Sequence, residues 1–155
     1  VVGIQYLQSL HRTIGSASTD TANNRCQYTV TCNTGYSKSG NTDTTPSFTA
    51  YGTAGSASGT LAGCSARTFN VTYSCGDGSG TAPSATTATY DSSFTPAANT
   101  CSRAGYKFDG WTVSGVGDKK AAGTAFTWKY AENKTLTAAW VSESEKTIVY
   151  NKNKV

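Results

Sequence analysis

His11 is the only histidine, and with Cys26, Cys32, Cys64, Cys75 and Cys101 it makes up the chain's stock of imidazole and thiol groups. A Ser–His–Asp or Cys–His site needs its histidine beside a nucleophile and an orienting carboxylate. His11 instead ends the apolar stretch VVGIQYLQSLH, with no cysteine near it. No Cys-x-x-Cys pair occurs, so a zinc site lacks its usual ligand spacing. The turn CGDGSG around Asp77 has the glycine content of a phosphate cradle, but no Gly-Lys-Ser/Thr follows and no helical pattern begins there. Asp91, Asp109, Asp118 and Glu132 fall in separate turns, nothing sets two of them at glycosidase separation, and no calcium loop is present. These patterns predict a non-catalytic protein with no metal and no cofactor. Trp111, Trp128 and Trp140 would suit a sugar-binding platform, but their strand positions place them in a core instead.

The elements that would hold these residues read as β throughout. Only 14% of the 155 residues are charged, Met is absent and Gly reaches 16, while Thr and Ser fill much of the rest, a composition suited to exposed strands and turns outside the cell. Thirteen basic and nine acidic residues leave a net charge of +4. The basic residues are scattered and form no stripe along phosphates, so nucleic acid is excluded as an expected partner. No stretch has the apolar length of a membrane span. The chain opens on Val1 rather than Met, as it would after loss of a leader.

The clearest patterns lie between Gly105 and Trp140. Tyr106 and Phe108 alternate with Lys107 and Asp109, predicting a strand that Gly110 and Trp111 turn. After the glycine-bearing loop SGVGDKKAAG, Phe126, Trp128 and Tyr130 share one face of a second strand. Residues 131–134 read as a turn, and Leu136, Ala138 and Trp140 point inward from a closing strand. The three strands together predict a core.

GYKFDGW, a glycine-bearing loop, an aromatic strand and ENKTLTAAW, in that order, closely resemble the internalin B-type repeat, also called the Listeria-Bacteroides repeat. The segment FNVTYSCGDGSGTAPSATTATYDSSFTPAANTCSRA stands where that family has its opening strand and glycine-rich turn, so the resemblance covers about Thr68 to Trp140. It implies a small β unit of β-grasp-like topology from secreted bacterial surface proteins, a spacer and binding module with no catalytic residues to carry over. Cys75 and Cys101 depart from the general motif and imply a disulfide-bearing subtype. A bridge between them, closing the first strand's end onto the start of GYKFDGW, would contribute about 3 kcal/mol through loop closure. Asn70-Val71-Thr72 and Asn133-Lys134-Thr135 match the glycosylation pattern, but the resemblance is to bacterial proteins and no glycans are expected.

The first half is less patterned. Val2, Ile4 and Tyr6 have strand spacing, whereas Ile4, Leu7 and Leu10 fit one face of a short helix. This segment either packs on its own domain or completes a neighbouring subunit as an added strand. The polar run GSASTDTANN follows it. CQYTVTC predicts a strand with Cys26, Tyr28, Val30 and Cys32 on one face; Cys26 and Cys32 lie about 20 Å apart along a flat strand and cannot bond to each other unless the chain bends. Of Cys26, Cys32 and Cys64, two can pair, with Cys32–Cys64 favoured, and the third is a free thiol, a bond between chains or a bridge between domains. FTAYGTAGSASGTLAGC permits a weak strand or a long loop. At the far end, Ile148, Val149 and Tyr150 form a short strand-like segment before the basic end NKNKV.

These readings predict a mainly β protein of two small β-rich units, residues 1–67 and 68–141, with a tail over 142–155. The expected role is a structural subunit of an extracellular assembly or filament at the bacterial cell surface, acting in adhesion. Copies would join through the terminal strands or an interchain disulfide. The alternative is a monomeric spacer or a module binding glycans or host surface proteins.

Overall fold

A computed structural model describes residues 11–53 and 63–143. Among them every regular element is a strand, so the mainly β expectation holds. The apolar leader Val2, Ile4, Tyr6, Leu7 and the segment Ile148, Val149, Tyr150 lie outside the described residues.

The chain divides into two compact units, Val1–Phe69 with Thr89–Asp91, and Asn70–Ala88 with Ser92–Val155. The expected boundary at 67/68 falls within two residues of the observed one, but residues 89–91 were not expected in the first unit. They join it because the Tyr90 amide donates to the Arg67 carbonyl (2.9 Å), the Tyr90 ring meets Tyr36 edge-on at 5.6 Å, and the Tyr36 hydroxyl donates to Asp91 (2.8 Å). The boundary expected after residue 141 falls inside a strand that runs to Ser142.

In the first unit, β1 (Arg12–Asp20), β2 (Arg25–Cys32) and β4 (Ser47–Thr53) form an antiparallel sheet with β2 in the middle. The polar run expected after the leader is therefore largely strand β1. Its Ser, Thr and Gly residues carry no apolar alternation, and pairing with β2 supplies what local propensity lacks. The β1–β2 turn ends at Asn24, whose positive φ of 49° asparagine tolerates. The short strands β3 (Tyr36–Ser37) and β5 (Ser65–Ala66) pair separately. The core is small: Val30, Cys32, Tyr36 and Cys64, with Phe48, Ala50, Ala66 and Tyr90 packed against it. The Cys32–Cys64 disulfide, Cα atoms 5.6 Å apart, stands at its centre.

In the second unit β6 (Thr68–Ser74), β7 (Thr86–Thr89), β9 (Tyr106–Val113), β10 (Lys119–Lys120) and β12 (Lys134–Ser142) form a sheet in the order β10-β9-β12-β6-β7. The first and last strands, β6 and β12, are parallel neighbours at its centre, and β9 is antiparallel to β12. β8 (Ser93–Phe94) pairs with β11 (Phe126–Thr127) apart from this sheet, so the aromatic strand expected between GYKFDGW and TLTAAW is only two residues long and does not lie between them.

Gly110 and Trp111 do not turn the chain: β9 runs through both. Across it Ala138 faces Trp111 and Trp140 faces Phe108, so three steps on β9 oppose two on β12. This bulge brings Phe108 and Trp111 onto one face despite their odd spacing, with ring centroids 5.1 Å apart. Gly110 permits it with φ +98°, and a Cβ there would press to 3.0 Å from the Lys120 carbonyl.

Trp111, Trp128 and Leu136 are fully buried. Each indole N–H has an acceptor, that of Trp111 the Ala97 carbonyl (2.9 Å) and that of Trp128 the Tyr130 carbonyl (2.7 Å), which lets these large rings sit inside without a stranded donor. Phe108, Phe126 and Trp140 are half-buried. Tyr106, expected in the core, is 38% exposed. It faces Ser142, beyond the last aromatic row, and the Arg103 guanidinium, 3.7 Å from its ring centroid, lies over it. Cys75 and Cys101 are bonded, Cα atoms 5.5 Å apart, as expected from their places at the first strand's end and just before GYKFDGW.

Candidate functional site

The groups that could support catalysis stay apart or are bound in structural pairs. In the first unit His11 stacks on Tyr36 with centroids 4.1 Å apart, and Tyr36 is held by Asp91. Burial and that carboxylate push the Tyr36 hydroxyl up to about 12. In the second unit Asp109 is held by Lys119, Glu132 by Lys134, and Asp118 by the Tyr130 hydroxyl (2.6 Å), which is likewise raised to about 12 by burial and the carboxylate. Asp77 lies 3.8 Å from Arg103 and is open to solvent. No cluster of metal-ligating side chains occurs among the described residues.

Two surfaces combine features that could bind a partner. The first lies on the three-stranded sheet. Cross-strand register puts Ile14, Val30 and Phe48 in one row, Ala17, Tyr28 and Ala50 in the next, and Thr19, Cys26 and Gly52 in the third, all on one face. The first row covers the core side, where Val30 is fully buried; the third is shallow, with small side chains on both outer strands. Cys26 is the free thiol among the five cysteines and is half-buried. Hydrogen bonding with this thiol, together with burial, raises the Tyr28 hydroxyl above its ordinary pKa.

The second is a groove of about 460 Å³ at the end of β9 and β12, lined by Tyr106, Phe108 and Trp140 with Ser79, Asn99, Ser102 and Arg103. Its walls are fixed. The Trp140 indole donates to the Cys75 carbonyl (3.1 Å), and Gly78 lies so close to that ring that a Cβ would stand 2.4 Å from it. The Asn99 side chain is bonded at both ends to the Cys101 backbone, at 2.9 and 2.8 Å. Aromatic faces, a guanidinium and hydroxyls along an open groove are chemically suited to the C–H and O–H faces of a sugar chain.

Of the three tryptophans weighed as a sugar platform, only Trp140 reaches such a surface; Trp111 and Trp128 are core residues. Arg103 and Asn99 escaped sequence reasoning because their places depend on the Cys75–Cys101 bridge. The buried Lys134 was also missed, although it alternates with Leu136 and Ala138, because residues 131–134 read as a turn while β12 begins at Lys134.

Comparison of the chain with family models, with curated proteins and with solved structures finds no match. The two disulfides fit a protein of an oxidising compartment. Among the described residues no helix is long and apolar enough to cross a membrane.

Proposed function

We propose that this chain is a non-catalytic structural subunit of an extracellular assembly or filament at the bacterial cell surface, with a role in adhesion, and that its second unit is an internalin B-type repeat. The observation that carries this reading is the open three-stranded sheet of the first unit, as it stands among the described residues. Both outer strands, β1 and β4, end the sheet among the described residues, and its shallow face holds the one thiol left over from two intrachain bridges. Backbone edges and an odd cysteine are two ordinary means of joining copies. The order β10-β9-β12-β6-β7, with first and last strands parallel at the centre, supports the β-grasp-like reading of the repeat. Light scattering on non-reduced material tests the assembly: masses that are multiples of the 16.1 kDa chain are expected, and a single-chain mass at every concentration sinks it.

The second reading, a monomeric spacer or module binding glycans or host surface proteins, is favoured by the Tyr106–Trp140 groove. A titration of tryptophan fluorescence with a chitotetraose probe would show saturable quenching that Tyr106→Ala removes.

A further inference from the structure

The chain's sheet edges are not alike. In the second unit's main sheet, edge strand β10 is two residues long and both are lysines, while β7 is four residues long. In the first unit β1 is broken by a register shift between Ile14 and Ala17. Shortness, charge and bulges are the devices by which folded proteins keep an edge from pairing with another chain. β4 has none of them. It runs seven residues, SFTAYGT, without a charge or a proline, and pairs with β2 in unbroken register from Arg25↔Thr53 to Thr31↔Ser47.

We infer that β4 is an interface, pairing antiparallel with β4 of a second copy about a two-fold axis through Ala50 to make a continuous six-stranded sheet. The inference rests on the assembly reading above and names its surface. The side chains of β4 are self-complementary in that register. Ala50 stands opposite its own copy, Phe48 opposite Gly52, and Thr49 opposite Tyr51. On the face shared with the core, Phe48, the only large ring β4 carries on that side, thus meets Gly52, its one residue without a side chain. A Cβ at Gly52 would reach only the Tyr28 ring, at an ordinary 3.4 Å. On the other face Tyr51, 44% exposed and covered by the Arg25 guanidinium 3.6 Å from its ring centroid, meets a β-branched partner, a favourable cross-strand pair. Centring the axis on Tyr51 would oppose two tyrosines and leave Phe48 beyond the pairing, and centring it on Thr49 would leave Gly52 and Thr53 unpaired.

The pairing also fixes what the thiols do. Cys26 lies in the Gly52 row and the partner's Gly52 lies in the Phe48 row, so the two sulfurs would be three strand spacings and four residues apart, about 20 Å. They cannot bond across this interface. Association through β4 therefore survives reductant and survives Cys26→Ser.

The test uses the full chain in reductant, followed by sedimentation over a range of concentrations. A reversible dimer is expected. The double variant Thr49→Lys with Tyr51→Lys, both on the exposed face, sets like charges opposite each other and should weaken association at least tenfold. Thr49→Lys with Tyr51→Glu sets opposite charges there and should restore it. In a Cys26→Ser background, Ala50→Cys should cross-link to itself under mild oxidation and Phe48→Cys should not. A mass above one chain that ignores the lysine pair but vanishes with Cys26→Ser overturns β4 pairing and leaves the assembly reading standing through a thiol. A single-chain mass throughout overturns both. Slow amide exchange along β4 in a monomer places another segment of the same chain on the edge and also overturns the interface.

Discussion

The two units hold themselves together differently. The first gathers two buried residues, Val30 and Tyr36, around Cys32–Cys64, with Phe48, Ala50, Ala66 and Tyr90 packed against them. The second buries Trp111 and Trp128 outright and packs Tyr73, Phe94, Phe108, Phe126 and Trp140 around them through edge-to-face and stacked contacts at 4.9 to 6.0 Å. Its disulfide sits at the rim of that aromatic core, beside the groove. A unit of this size with few buried apolar groups depends on its staple; one with a ring cluster has a core besides. The contrast teaches that the same covalent bond can be the centre of one fold and a brace on another.

The strongest break of that contrast is removal of the bridges one at a time. Cys32→Ala with Cys64→Ala should cost about 4 kcal/mol by loop-closure entropy, enough to unfold the first unit. Cys75→Ala with Cys101→Ala opens a shorter loop and costs about 3 kcal/mol by the same reckoning, yet should leave the second unit folded with a lower denaturation midpoint. All three tryptophans lie in the second unit, so their fluorescence follows it alone while amide exchange follows the first. If both pairs of substitutions unfold both units together, the contrast fails.

Next in size is Trp128→Ala, expected to destabilise the second unit by about 3 kcal/mol, read by urea titration. Tyr106→Ala, at an exposed position, should shift that midpoint by less than about 0.5 kcal/mol.

Alkaline pH then probes one feature the units share. Tyr36 and Tyr130 each donate to a carboxylate, and each is raised to about 12. A folded-state value above the unfolded one, near 10, means that the stabilisation is whole below pH 10 and is lost as pH rises through about 12. Phenolate absorbance with parallel stability measurements should show both losses, Tyr36→Phe removing that of the first unit and Tyr130→Phe that of the second. The smallest effect lies at the acid end and in the first unit only. Hydrogen bonds from Thr45 and Ser39 lower Asp43 to about 2, so its contribution is present above about pH 4 and fades as pH falls through about 2. Asp43→Asn should flatten that part of the profile.

Sequence patterns were most legible where side chains alternate against a core. β2 and most of β12 could be read from CQYTVTC and TLTAAW, whereas β6 was placed only where the repeat resemblance puts its opening strand. β1 could not, because RTIGSASTD has almost no apolar period and becomes a strand through its neighbour. The Gly110 bulge was invisible for a related reason: period-two reasoning assumes an unbroken strand, which would put Trp111 opposite Phe108, and the one inserted residue returns it to Phe108's face, in the core where it was expected. Tyr106 followed the period correctly but stood one row past the covered part of the sheet. Of the groove, the aromatic rings were legible and their surroundings were not, since Ser79, Asn99 and Arg103 come from loops whose course is set by a disulfide.

The parallel pairing of β6 with β12 has a mechanical consequence. The unit's chain enters at the start of β6 and leaves at the end of β12, and in a parallel pair those two points lie at opposite ends. Tension drawn through the unit along its chain therefore pulls the strands past each other, loading the bonds around Lys134↔Val71 to Thr137↔Ser74 together rather than opening them one by one as in a hairpin. Such a joint yields at higher force than a zipper of equal length.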